Sequence, residues 1–67
     1  MIIYSAEYND CIYESAFGTI SLHRTYEGAC NAIRKDERMM LNQWKKLGQD
    51  SIPEYEQWRV REIELLE

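Results

Sequence analysis

Residues 25–48 read TYEGACNAIRKDERMMLNQWKKLG, and the fold turns on this stretch. At 100° per residue, Tyr26, Ala29, Ile33, Met40, Trp44 and Leu47 fall within a sector of about 60°. Arg34, Arg38 and Lys45 fall on the opposite side, with Lys35 and Lys46 beside them. Thr25 offers an N-cap oxygen, and Glu27 sits where the helix dipole favours an acid. Gly48 follows as a C′ residue, with Lys45 and Lys46 in the last turn. The spacing predicts one long amphipathic helix ending at Leu47, with one face for a core.

On the N-terminal side, Met1 to Tyr8 is apolar, β-branched and aromatic, the composition of a strand. Asn9-Asp10 is a turn signal. Cys11 to Ser15 resumes strand composition, so a hairpin is expected. Phe17-Gly18 then marks a bulge or bend, and Thr19 to His23 alternates as a half-buried strand does. On the C-terminal side, Glu54 to Glu67 admits two readings. Trp58 and Val60 alternate, then Ile63 and Leu65 alternate one step out of phase, as in a bulged strand. Ser51-Ile52-Pro53-Glu54, by contrast, resembles a capping box that would open a second helix. The strand is preferred, because a hairpin needs a third or fourth strand for stability. The expectation is a single α+β domain over residues 1–67. It has a three- or four-stranded antiparallel sheet with one amphipathic helix on one face, in the order β-β-α-β.

The chain has 67 residues, 45% hydrophobic and 30% charged, a globular and not a disordered composition. A core of this size supplies roughly 3–5 kcal/mol at most, which leaves little room for an enclosed pocket or a cofactor domain. No run approaches the ~18 apolar residues of a membrane span. The opening residues lack the basic start and apolar stretch of a signal peptide, so a cytoplasmic protein is expected. Cys11 and Cys30 read as small apolar side chains rather than a disulfide. With His23 the lone histidine and no ligand-type spacing, no metal or other cofactor is expected.

The net charge of −4 is unevenly spread. Residues 23–47 carry six bases against three acids; residues 48–67 carry six acids against two bases, Arg59 and Arg61. Such asymmetry speaks of partners. Ser21 and His23 share a strand face, but no third group or oxyanion signature accompanies them, so no enzyme is expected. The stripe Arg34, Arg38, Lys45 could follow a nucleic-acid backbone, although the chain as a whole is acidic. Glu54, Glu56, Glu62 and Glu64 form an acidic set suited to a basic partner. Five Tyr, two Trp and one Phe exceed what so small a core can hide. Tyr4, Tyr8, Tyr13 and Tyr55 are the candidate contact aromatics.

An opening Ile-Ile-Tyr-Ser strand, an Asn-Asp turn, a helix entered through Thr25 and a closing Trp58-Arg59-Val60-Arg61-Glu62-Ile63-Glu64-Leu65 stand in order here. That order resembles the small, mostly uncharacterised proteins encoded by tailed bacteriophages, similar in style to phage inhibitors of host defence, including anti-CRISPR proteins. The resemblance implies a non-enzymatic binding protein in the bacterial cytosol that blocks or redirects a larger protein or nucleoprotein complex. It brings no catalytic residues with it. The alternative is a small nucleic-acid-binding regulator using the basic helix face.

Overall fold

The computed structural model describes residues 1–10 and 17–66. The elements are β1 (Ile2–Asn9), β2 (Gly18–His23), α1 (Tyr26–Lys46) and β3 (Gln57–Glu64). They form the expected α+β arrangement, an antiparallel sheet ordered β2-β1-β3 with one helix. The partner of β1 in the hairpin is Gly18–His23. The strand expected over Cys11 to Ser15 lies outside the described residues.

The last segment is a strand. Its pairing with β1 runs unbroken from Ile2 opposite Glu64 to Asn9 opposite Gln57. The bulge expected there is absent. The phase change of its apolar residues has a different cause: the two halves of β3 bury opposite faces. Trp58 and Val60 lie opposite Tyr8 and Ala6, on the helix side, whereas Ile63 lies opposite Ile3 on the other face. The capping-box reading gives way because β3 satisfies a free edge of β1; the Glu56 N–H instead donates to the Pro53 carbonyl at 3.1 Å, closing a turn. The register break lies in the β1–β2 pair. Ala6 faces Ser21 and Glu7 faces Thr19, leaving Ile20 as the extra residue. Gly18, where the bend was expected, pairs regularly with Tyr8.

Both ends of α1 follow their sequence signals. The Thr25 side chain accepts from the Gly28 N–H at 3.0 Å. At the other end Gly48 takes φ 89°, a left-handed conformation open to glycine. The Gln49 N–H reaches the Trp44 carbonyl at 2.9 Å, and the Gly48 N–H reaches that of Lys45 at 3.1 Å. This is a Schellman ending.

The core is small. Among the described residues the fully buried apolar side chains are Ala6 and Ala29. Ile33, Met40 and Trp44 are half-buried, but Tyr26 is 59% and Leu47 74% exposed, against the sequence expectation for the stripe. The reason is geometric. Asp36, midway along α1, already meets Trp58, one residue from the end of β3. The last turns of the helix therefore run past the sheet. There Trp44 packs edge-on against Tyr55 of the loop that leads from α1 to β3, with its indole N–H buried and lacking an acceptor among the described residues. Cys30 is a half-buried free thiol; the question of its pairing with Cys11 falls outside the described residues. No helix among them is long and apolar enough to cross a membrane.

Candidate functional site

The most unusual chemistry lies on the sheet face that carries no helix. Glu7 sits mid-way along the central strand and points to that face, yet it is only 1% exposed. Its cover comes from β3. The Arg59 Nε donates to Glu7 Oε1 at 2.7 Å, and the Arg61 Nε to Oε2 at 3.0 Å. The Ser5 hydroxyl adds a third bond, to Oε2 at 2.9 Å. Strand alternation explains the convergence: Arg59 is the direct cross-strand partner of Glu7, and Arg61 the diagonal one, opposite Ser5. The Phe17 ring centroid lies 4.0 Å from the Arg59 guanidinium carbon, a cation–π contact. Asn9 completes a row of buried polar groups on β1 with Ser5 and Glu7.

Burial alone pushes the Glu7 carboxyl upward, but the bonds from Arg59, Ser5 and Arg61, with the Arg61 charge, outweigh it. The group is held below the ordinary carboxylate range. A lowered folded-state value means that the stabilisation is complete above the unfolded carboxylate's titration. It is lost as the pH falls through the folded one. Acid titration of the wild type should therefore show a steep loss of stability below about pH 4, and Glu7→Gln should flatten that limb. Equal acid slopes for the two proteins, read from urea midpoints, would remove Glu7 from the account.

Each arginine spends only its Nε on Glu7. The Nη groups have no hydrogen-bond partner among the described residues, and the side chains stay 45% and 53% exposed. Sequence reading missed this cluster, counting the two arginines merely as partial neutralisers of an acidic tail. The available signal was Arg59-x-Arg61 in a strand pattern with an acid, Glu7, inside an apolar one. Joining them required the register.

The residues singled out from the sequence are placed as follows. Glu62 and Glu64 are exposed and share the helix-side face of β3. Glu54 is exposed in the turn before β3, whereas Glu56 is half-buried and accepts the Tyr8 hydroxyl. The two pairs stand at opposite ends of the strand, about 20 Å apart, and do not make one patch. Tyr4 packs edge-on against Tyr26 with centroids 5.9 Å apart, joining β1 to the helix, and Tyr8 lies 5.3 Å from Trp58, joining β1 to β3. Burial and the Glu56 contact also push the Tyr8 phenol well above its usual range. Tyr55 remains 41% exposed, and Tyr13 is outside the described residues. Arg34, Arg38 and Lys45 are exposed on the outer helix face, with Arg34 reaching Asn31 at 3.4 Å.

Between β2 and α1 runs an open groove of about 280 Å³ lined by Ile20, Ser21, Ala32, Lys35, Asp36 and Met39. The Ser21 hydroxyl is 2.6 Å from His23 Nε2. The other face of that ring abuts the helix start, where a Cβ on Gly28 would come within 3.3 Å of Nδ1. No carboxylate among the described residues orients the imidazole, so the pair lacks the third member that activates a nucleophile. Asp36, which lines the same groove, accepts the Trp58 indole N–H at 2.8 Å. No three His, Cys, Asp or Glu side chains among the described residues gather as a metal site would require. Compared with known proteins, the chain matches no family model, no curated protein and no solved structure.

Proposed function

We propose that this chain is a non-enzymatic binding protein that docks on a larger protein or nucleoprotein partner. One observation carries the reading: its apolar surface is out of proportion to its core. Among the described residues two alanines are fully buried, while Ile20, Leu22, Tyr26, Met39, Leu47 and Tyr55 are each 39% exposed or more. Ile20 and Met39 come together with Ala32 along one open groove between β2 and α1, and an exposed apolar surface of that kind favours an interaction site. The narrower reading, a phage inhibitor of a bacterial defence or host complex, is supported by the resemblance in element order. In that reading the exposed Glu54, Glu62 and Glu64 steer a basic partner and set the association rate.

The test is capture from a bacterial lysate on the immobilised chain, followed by mass spectrometry, at two salt concentrations. A protein retained by the wild type and lost by the Glu62→Lys/Glu64→Lys variant supports the reading. Retention of nucleic acid alone, released steeply by salt and lost on reversing Arg34, Arg38 and Lys45, would transfer the function to the helix face.

A further inference from the structure

We infer that Arg59 and Arg61 form a docking point for a single carboxylate on a protein partner, offered by the helix-free face of the sheet. The inference rests on the binding-protein reading and names the chemistry the partner brings to that face.

Charge is the first ground. A buried carboxylate needs one positive partner, and Glu7 has two. The cluster therefore keeps one unit of positive charge at the surface of a chain whose net charge is −4. Geometry is the second. Both guanidinium groups are fixed through Nε on the two oxygens of one buried carboxylate, and the Phe17 ring adds a cation–π contact to that of Arg59. Each thus presents its terminal Nη fork outward, already ordered, and that fork matches a carboxylate in a bidentate manner. Ordering before binding removes much of the side-chain entropy cost.

The surroundings select the ligand. Leu22, 57% exposed, lies opposite Ser5 on this face, and Ile3 and Ile63 lie one row further along it. An acidic side chain between apolar neighbours fits a cationic pair bordered by aliphatic side chains. A nucleic-acid strand fits less well, since its repeated phosphates would meet one surplus charge on an acidic protein.

The experiment titrates the isotope-labelled full chain with acetyl-Leu-Glu-Leu-amide, following the Arg59 and Arg61 Nε–H signals by NMR. The same peptide with Gln, and an eight-nucleotide oligothymidylate, serve as the other arms. The expected result is saturable movement of both arginine signals with the Glu peptide, at least tenfold weaker binding of the Gln peptide, and no saturation with the oligonucleotide. Arg59→Lys/Arg61→Lys keeps the charge and the Glu7 partnership but removes the forks, and should weaken the Glu peptide at least fivefold. Equal binding of both peptides, absence of saturable shifts, or tighter binding of the oligonucleotide would each overturn the inference. If the peptide fails while lysate capture still returns a protein, the carboxylate site falls and the binding function stands.

Discussion

Replacing Arg59 and Arg61 together by methionine is expected to cost about 3 kcal/mol, because it strands the Glu7 carboxylate without a counter-charge. The full range for breaking a buried pair is roughly 3–5 kcal/mol, and the lower end applies since both guanidinium groups are about half-exposed. For a chain of 67 residues that is most of the stability available. At ~4–8 °C per kcal/mol the melting midpoint should fall by more than about 12 °C. The triple variant Glu7→Met/Arg59→Met/Arg61→Met should recover most of the loss, since apolar replacement of a whole buried ion cluster is often neutral. Urea melts of the three proteins check this. A double variant that melts with the wild type would mean that solvent, not arginine, neutralises Glu7.

The second large effect lies on the other face. Ala29 is fully buried where the helix rests on the sheet, with Ala6 fully buried on the helix side of β1. Ala29→Asp places a charge in that buried layer, at a cost of several kcal/mol. Cooperative melting should vanish, with the helical far-UV signal reduced. Ala29→Gly, which removes a methyl and some helix propensity, should cost only about 1 kcal/mol and remain folded. A cooperative Ala29→Asp melt would show that the helix does not need the sheet.

The helix was legible because its signals are local. Thr25, Gly48 and the stripe from Ala29 to Trp44 each act within a few residues, and caps and period agree. The ends of the stripe, Tyr26 and Leu47, misled because periodicity gives a direction and not the extent of the surface that waits there. β3 was harder. Its apolar residues change phase, and only pairing with β1 reveals that Ile63 serves the face opposite to Trp58. The Glu7 cluster was legible only as separate pieces, an acid in one strand pattern and two arginines in another. No rule of composition brings residue 7 beside residues 59 and 61; the register does.

That pairing also puts the chain's events in order of time. The two partners of Glu7 lie 52 and 54 residues downstream, so its carboxylate stays hydrated until β3 has been synthesised. Hairpin and helix can form from neighbouring segments, but the central strand keeps one open edge meanwhile. Closing that edge brings both arginines over Glu7 in the same step that satisfies the backbone of β1 from Ile2 to Asn9. Long-range pairing of this kind is slow compared with helix formation. During synthesis β3 leaves the ribosome after the hairpin and the helix, and its arrival gives the central strand a partner on both sides.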